Sequence, residues 1–232
     1  MPPTALQFGI PRYCEGDMRQ RKVKNLEEKL ENCGELLVGE PIENRGDWQK
    51  LFPREQPLYL EIGCGRGGFI SGIAVKNPNR NFIGIEGHSS VALRALQNIR
   101  TQGLANIRII AEYINDPEDW FAENEISGIY LNFSDPWPKD RHAKRRLTSP
   151  KYISSYKKIL KPGAFIEIKT DNEQLFDYSV KSVKDAGLII LELSEDLHNS
   201  SLEARNVMTE YEKKFREEGK RIKYLKTVLK VI

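Results

Sequence analysis

Residues 58–70 read LYLEIGCGRGGFI and carry three local signals in immediate succession. The run Leu58–Ile62 is apolar except for Tyr59 and Glu61, which is typical of a strand buried in a parallel sheet. The glycines of residues 63–68 permit a tight turn, and the apolar residues from Phe69 onward follow helical spacing. We therefore predict a strand, a glycine-rich turn and a helix whose first N–H groups can face a ligand.

The same alternation continues downstream. Further strands are predicted, in chain order, at residues 81–86, 106–111, 126–133, 164–169, 187–193 and 221–231. Helical spacing occupies the intervals, for instance residues 91–99 and 173–186. This order predicts an α/β fold with a doubly wound, mainly parallel seven-stranded sheet and helices on both faces. The sequence does not decide whether the seventh strand runs parallel or antiparallel to its neighbours.

The 232 residues fit one α/β domain. Residues 1–17 are rich in proline and lack periodicity, so we expect a disordered extension there. We expect residues 18–232 to form a single domain. Its N-terminal segment is basic up to Lys24 and has helical spacing over residues 26–37.

The composition restricts the class of protein. Hydrophobic residues make up 39% of the chain, yet no apolar run approaches bilayer length, so we predict no contact with a membrane. The three cysteines are scattered without a CxxC pair, which predicts a reducing, cytoplasmic location. The three histidines are equally dispersed, and we predict no metal site. A net charge of +3 does not identify a nucleic-acid partner by itself.

The glycine turn indicates a cofactor site. Gly63, Gly65 and Gly68 match the pattern GxGxxG, and Glu86 ends the next predicted strand about 20 residues later, where a ribose-binding acid is expected. Both NAD and S-adenosylmethionine are held by such turns. Glu61 favours S-adenosylmethionine, because a carboxylate balances the positive charge of a cationic ligand and repels a pyrophosphate.

A second informative stretch, residues 131–147, reads LNFSDPWPKDRHAKRRL. Two prolines stiffen the turn that carries Asp135 and Trp137, just beyond a predicted strand end, where open α/β sheets bind ligands. From Lys139 to Lys161 there are nine Lys and Arg residues and one acid, Asp140. An acid and an aromatic residue beside a cationic loop suit a base on a phosphate backbone. Trp137 is either a stacking residue for that base or a core residue.

These features resemble the bacterial tRNA (guanine-N7-)-methyltransferase family. The segments that carry the resemblance are EIGCGRGGFI (61–70), IGIE (83–86), LNFSDPWPKDRHAKRRL (131–147), IKTDN (168–172) and TEYEKKF (209–215). The resemblance implies a Rossmann-like class I fold, S-adenosylmethionine as cofactor and tRNA as partner. The implied reaction is methyl transfer to N7 of a guanine in the variable loop of tRNA.

The resemblance also implies roles for individual positions. Cofactor contacts are implied at Glu61, Gly63, Gly65, Glu86 and Asp135, of which Asp135 is the expected catalytic residue. Substrate contacts are implied at Lys139, Asp171, Thr209, Glu210, Tyr211 and Glu212. RNA contacts are implied at Arg141, His142, Lys144, Arg145 and Arg146. Thr209 and Glu212 also form a capping-box pattern, so both residues have a structural role as well.

The chain departs from the family near the adenine. The family has an acidic residue followed by alanine after the third strand, whereas this chain reads Ala111-Glu112-Tyr113-Ile114. Either Glu112 replaces that acid, or other groups hold the adenine and Tyr113 stacks on it.

The sequence does not decide the oligomeric state, which is either a monomer or a homodimer. The rival functions are a nicotinamide-dependent oxidoreductase, which leaves the cationic loop unexplained, and a non-catalytic RNA-binding module.

Overall fold

The computed structural model describes residues 23–230. The expected disordered extension, residues 1–17, lies outside the described residues. The strands are β1 (Leu37–Val38), β2 (Leu58–Ile62), β3 (Asn81–Ile85), β4 (Ile107–Ile110), β5 (Ile126–Asn132), β6 (Leu160–Thr170), β7 (Ile189–Ser194) and β8 (Lys223–Val228). The α-helices are α1 (Leu26–Glu31), α2 (Gly68–Lys76), α3 (Ser89–Gln102), α4 (Pro117–Trp120), α5 (Pro150–Ile159), α6 (Glu173–Asp185) and α7 (Glu210–Glu217).

All described strands form one sheet in the order β1-β4-β3-β2-β5-β6-β8-β7. The first six in this order pair in parallel, and β8 runs antiparallel to both neighbours, β6 and β7. The predicted α/β, mainly parallel sheet is confirmed. The direction that the sequence left open for the strand near the C-terminus is antiparallel.

The predicted number of strands is wrong, because the described sheet has eight strands and not seven. The additional strand, β1, pairs in parallel with β4 through Leu37 and Ile109. Two residues are too few to show a period of two. The predicted helix over residues 26–37 ends at Glu31, and Gly34 with φ +57° then turns the chain toward the sheet edge.

The helices cover both faces of the sheet. Alternate residues of β2 point to opposite sides, so that Leu60 joins one buried cluster and Tyr59 the other. The first cluster includes Ile153 of α5 and Phe176 of α6. The second includes Ile70 of α2 and α3 residues such as Leu96. The doubly wound arrangement is therefore confirmed. Within residues 23–230, every helix is too short or too polar to cross a bilayer.

One strand boundary differs from its prediction for a local reason. β6 begins at Leu160 instead of Ala164, although Pro162 and Gly163 follow at once. Ile126 pairs with Leu160, and the next aligned pair is Gly128 with Phe165, so the register shifts between them. The extra residues form an irregularity in which Gly163 takes φ +75°. A proline–glycine pair that predicts a turn here lies within an irregular strand.

Candidate active site

The glycine turn joins the carboxyl ends of β2 and β3. The N–H groups of Gly63 and Cys64 both donate to the Ile85 carbonyl, at 2.8 and 3.1 Å. Gly63 and Gly65 have φ values of +83° and +57°, a left-handed conformation that favours glycine. A β-carbon on either residue would meet no described atom within 4 Å, so the space beside the turn is open.

Glu86 lies directly after β3 and is held by two backbone donors. Its Oε2 accepts from the Gly65 N–H at 3.0 Å, and its Oε1 accepts from the His88 N–H at 2.9 Å. A carboxylate offers about four lone-pair sites, so Glu86 keeps acceptor capacity for a ligand while its orientation is fixed.

Glu61 and Asn132 meet below the turn. Both side chains are buried, and the Asn132 Nδ2 donates to the Glu61 Oε1 at 2.9 Å. Burial raises the pKa of the Glu61 carboxyl to about 8, against the lowering effects of the Asn132 hydrogen bond and the Lys169 charge. Asn132 is a polar residue in a mainly apolar strand, and this is the sequence signal for its contact with Glu61.

The wall beyond Glu86 is formed by His88 and Tyr113. The Tyr113 hydroxyl lies 2.9 Å from His88 Nε2, and its ring covers Gly87 so closely that a β-carbon there would lie 2.2 Å from it. Tyr113 is largely exposed, and partial desolvation, followed by the negative charges of Glu86 and Asp135, raises the pKa of its phenol. Tyr113 therefore lies within electrostatic reach of both predicted site acids.

Glu112, the alternative to Tyr113, faces another part of the surface. Its side chain is exposed, and its pKa is raised by partial desolvation and by the charge of Glu40. Glu40 follows β1, which lies two strands away from β3 in the sheet, whereas Glu86 directly follows β3. The structure places Tyr113 against His88, beside Glu86 and Asp135, and places Glu112 nearer to Glu40. A contact of either residue with the adenine stays a prediction.

Asp135 lies on a strained corner. Phe133 and Trp137 have φ values of +52° and +42°, a left-handed conformation that costs a non-glycine residue about 1–3 kcal/mol and occurs mainly at functional sites. Arg146 holds the corner in place: its Nε donates to the Pro136 carbonyl at 2.9 Å and its Nη2 donates to the Trp137 carbonyl at 3.0 Å.

The Asp135 carboxylate is accessible to solvent but surrounded by enough protein for partial desolvation. This desolvation raises its pKa, and the nearby His88 opposes the shift. Asp135, His88 and Tyr113 therefore face a common space at the carboxyl ends of β3 and β5.

Trp137 is not a core residue, because its half-buried ring packs under Arg145 at 4.9 Å and against His142 at 5.8 Å.

Arg146 differs from the other predicted RNA contacts. It is buried, its donors are used by the Asp135 corner, and its guanidinium lies 4.3 Å from the Tyr178 ring. The predicted RNA contact at Arg146 is therefore not supported in this structure, because the guanidinium is buried and has internal partners. Arg141, Lys144 and Arg145 are exposed around a 3₁₀ helix over Asp140–Arg145, beside the half-buried His142.

Several cations of α5 have partners within the protein. Lys158 pairs with Glu118 at 2.8 Å, and the Lys157 Nζ donates to the Ala186 carbonyl at 2.9 Å. Lys151 donates to the Asn115 carbonyl at 2.9 Å. The sequence predicts a cationic surface from Lys139 to Lys161. Because these cations of α5 have internal partners, the cationic surface is concentrated in the 3₁₀ helix.

The segment before α7 packs against the glycine turn. Thr209 and Glu212 form the predicted capping box, with the Glu212 N–H donating to the Thr209 hydroxyl at 2.9 Å. Glu212 is fully buried, and its Oε2 lies 3.3 Å from the Lys169 ammonium, so its contacts in this structure are internal and the predicted substrate contact is not supported there. Glu210 lies beside Gly68, at the start of α2, and Tyr211 is exposed.

Lys169 is buried near the carboxyl end of β6. Its ammonium group donates to the Val207 carbonyl at 2.9 Å and to the side chains of Asn206 and Glu212. The same ammonium lies 5.1 Å from the Phe69 ring and attracts the Glu61 carboxylate. Asp171, two residues later, pairs with Lys220 at 3.4 Å near the surface.

His198 lies close to two carboxylates, although the sequence separates it from the other histidines. His198, Glu203 and Glu212 offer ligand atoms within 4.8 Å of one another, the one such group in residues 23–230. Cations already neutralise both carboxylates, since Arg216 lies 3.2 Å from Glu203 and Lys169 lies 3.3 Å from Glu212. We therefore treat the group as part of the packing around α7.

A family model, Methyltransf_4, described as "Putative methyltransferase", matches residues 55–225. The chain belongs to this family. It is the family of the tRNA (guanine-N7-)-methyltransferases, and its members depend on S-adenosylmethionine, so the predicted family and cofactor are confirmed. The matched region runs from just before β2 into β8 and includes the glycine turn and the Asp135 corner.

Solved structures of other methyltransferases share the fold. An antibiotic-related methyltransferase is 16% identical, with 84% of this chain and 96% of that chain covered and a TM-score of 0.58. The 16S rRNA methyltransferase KamB is 12% identical, with coverages of 80% and 94% and a TM-score of 0.59. A SAM-dependent methyltransferase from Aquifex aeolicus is 15% identical, with coverages of 89% and 99% and a TM-score of 0.52. At these identities the likeness concerns the fold alone.

The residues at the strand ends fit S-adenosylmethionine. Glu61 Oε2 and Asn132 Oδ1 are buried and have no hydrogen-bond partner among the described residues. Such acceptors suit a cationic donor group, and Glu86 retains acceptor capacity suited to hydroxyl groups. The open space beside Gly63 and Gly65 lets a ligand approach the backbone.

We predict that binding S-adenosylhomocysteine, which retains the cofactor's ammonium group, releases close to one proton per site at about pH 7. The pKa of the free Glu61 carboxyl is raised to about 8, so this group is mostly protonated before binding, and a nearby ammonium favours its ionised form. Binding should therefore tighten from about pH 6 to about pH 7.5. Calorimetry in buffers of different ionisation enthalpy measures the released protons.

Two controls isolate this effect. The ligand 5′-methylthioadenosine lacks the ammonium group and should release no proton. Glu61→Gln cannot ionise at this position, so any binding that remains should be independent of the buffer. Equal binding enthalpies of S-adenosylhomocysteine in all buffers with the unsubstituted protein would contradict the raised pKa of Glu61.

Proposed function

We propose that the protein transfers a methyl group from S-adenosylmethionine to N7 of a guanine in the variable loop of tRNA. Membership of the methyltransferase family supports the reaction type. The strained Asp135 corner supports the choice of substrate. It lies between the Glu86 side of the site and the exposed cations of the adjoining 3₁₀ helix.

Methylation at guanine N7 requires no general base. N7 carries an in-plane lone pair, which forms the new N–C bond while the electron pair of the S–C bond stays on sulfur, so no proton has to leave. The protein must hold the base in line and stabilise the positive charge that appears on the ring. An Asp135 carboxylate fixed beside the base performs the second task without moving.

Asp135 also suits the recognition of guanine. A carboxylate accepts hydrogen bonds from the ring N–H and the exocyclic amine, a donor edge that adenine lacks. Asp171 is the second candidate for this contact, because it follows β6 at the same end of the sheet. Its pairing with Lys220 at 3.4 Å keeps its charge near the surface, which favours Asp135 for the base itself.

The cationic 3₁₀ helix suits a phosphate backbone. Arg141 and Lys144 form no ion pair among the described residues, and Arg145 covers the face of the Trp137 ring. A target base has to leave its stack to reach a methyl donor. When the Arg145 guanidinium turns to a phosphate, the ring face that it covers becomes accessible to a displaced base, and one such stacking contact contributes about 1–3 kcal/mol.

We predict that the triple variant Arg141→Ala, Lys144→Ala and Arg145→Ala weakens tRNA binding and lowers its salt dependence. Each lost phosphate contact reduces the slope of log K against log salt by about 0.7–0.9, so the slope should fall by about 2. Filter binding or fluorescence anisotropy between about 50 and 200 mM salt measures this slope.

The matched control is the double variant Lys157→Ala and Lys158→Ala, whose ammonium groups are occupied by the Ala186 carbonyl and Glu118. It should leave the slope nearly unchanged. A similar loss of slope in both variants would show that the cations act through net charge, which would contradict a local tRNA contact at the 3₁₀ helix.

The direct test is methylation of unfractionated tRNA with labelled S-adenosylmethionine, followed by mass mapping of the modified nucleoside. We expect 7-methylguanosine in the variable loop. Methylation of another atom, or of another RNA only, would contradict the proposed substrate while leaving the methyltransferase family unaffected.

A further inference from the structure

Three polar side chains cross the carboxyl ends of adjacent strands in the middle of the sheet. They are Glu61 of β2, Asn132 of β5 and Lys169 of β6, and Asn132 is aligned directly with Lys169 in the strand register. Asn132 Nδ2 donates to Glu61 Oε1 at 2.9 Å. Asn132 thus joins the cofactor acid to the strand that carries Lys169.

Two acceptors of this row lack a hydrogen bond of ordinary geometry among residues 23–230, although the Ile70 N–H lies near the Glu61 carboxyl. They are Glu61 Oε2 and Asn132 Oδ1, and both atoms are buried. Folded proteins satisfy nearly all buried polar atoms, so two neighbouring exceptions call for a donor from outside the chain. The Lys169 ammonium does not fill this need, because it already has three acceptors at Asn206, Val207 and Glu212.

The chemistry of the pair defines the ligand group. When Glu61 is ionised it accepts only, so the Asn132 amide must direct Nδ2 toward it and keep Oδ1 as an acceptor. The row then offers a carboxylate oxygen and an amide oxygen together. A primary ammonium has a positive charge and three donors, which match this set better than a hydroxyl with one donor.

We infer that Asn132 is a cofactor-binding residue whose Oδ1, together with the Glu61 carboxylate, receives the ammonium group of the methionine part of S-adenosylmethionine. The inference rests on the cofactor of the proposed function. It assigns Asn132 two tasks: it orients Glu61 through Nδ2, and it contacts the ligand through Oδ1.

Two ligands that differ in the amino-acid part test the inference. S-adenosylhomocysteine has the ammonium group, and 5′-methylthioadenosine shares the adenosine and the thioether but lacks it. In Asn132→Leu, calorimetry should show S-adenosylhomocysteine binding weakened by about 10- to 100-fold, as expected for a lost hydrogen bond to a charged group. The affinity for 5′-methylthioadenosine should change less than about 2-fold, because its contacts are intact.

Asn81→Leu is the matched control. Asn81 is also a buried amide in the sheet, but it begins β3 at the opposite end and donates to Gln49 and to the Arg54 carbonyl. It should leave both affinities unchanged. Asn132→Ser keeps a polar but shorter side chain without the amide oxygen and serves as the second variant if Asn132→Leu does not fold; it should show the same selective loss.

The possible outcomes are distinct. An equal loss for both ligands, or no loss for either, would overturn the inference and leave Asn132 with a structural role. A selective loss of S-adenosylhomocysteine binding supports it. Failure of the unsubstituted protein to bind S-adenosylhomocysteine would overturn the cofactor assignment itself, whereas failure to methylate tRNA with intact cofactor binding would affect the proposed substrate only.

Discussion

Asp135→Ala is expected to lower kcat for tRNA methylation by about 10²–10³-fold, the range observed when one preorganised electrostatic contact to a transition state is removed. The residue lies on a corner that is fixed by Arg146 and by the left-handed conformations of Phe133 and Trp137. Its carboxylate stabilises charge that develops during transfer, so the loss should fall on kcat. The affinity for tRNA should change little, because phosphate contacts dominate binding.

Single-turnover methylation and tRNA binding, measured on the same preparation, separate these effects. The matched control is Asp140→Ala, which removes an exposed acid from the same loop, five residues away. It should retain kcat. Equal losses of rate and tRNA affinity in Asp135→Ala would show that the residue only maintains the corner, and this result would contradict a catalytic role.

Lys169→Met is expected to lower the free energy of unfolding by about 3–5 kcal/mol, the usual cost of leaving a buried charge without its partner. The variant removes the cation that faces Glu212, the Val207 carbonyl and Asn206, while methionine nearly preserves the volume. Because these partners precede or begin α7, we expect the segment against the glycine turn to loosen first.

Urea denaturation of Lys169→Met and of Lys169→Met with Glu212→Gln measures the coupling. The second change removes the unpaired charge, so the double variant should recover part of the loss. Lys181→Met is the control, since its pair with Asp185 is exposed and contributes at most about 1 kcal/mol. A cost for Lys169→Met as small as that of the control would contradict a structural role for the buried pair.

Local patterns were sufficient to predict most of the architecture. The apolar run of β2, the glycines after it and the helical spacing from Phe69 define a βα unit without any long-range information. The position of Glu86 after β3 followed from the same reasoning. These predictions succeed because strand burial and turn conformation depend on neighbouring residues.

The remaining features depend on contacts between distant segments. β1 is too short to show a pattern, and its pairing with β4 joins residues about 70 positions apart. The sequence places Arg146 in a row of cations, but only tertiary structure turns its guanidinium toward Pro136. The position of Tyr113 was equally inaccessible, because its contact with His88 joins residues that are 25 positions apart.

The antiparallel insertion of β8 has a consequence for biosynthesis. β7 pairs with β8 only, and β8 also pairs with one edge of β6. β7 and this edge of β6 therefore lack a hydrogen-bonding partner strand until residues Lys223–Val228 have left the ribosome. A nascent chain that has just exposed β7 therefore presents the open edge of β6, and such edges pair readily with other chains. Translation stalled in this interval should yield an aggregation-prone intermediate, whereas completed chains insert the missing strand and close the gap.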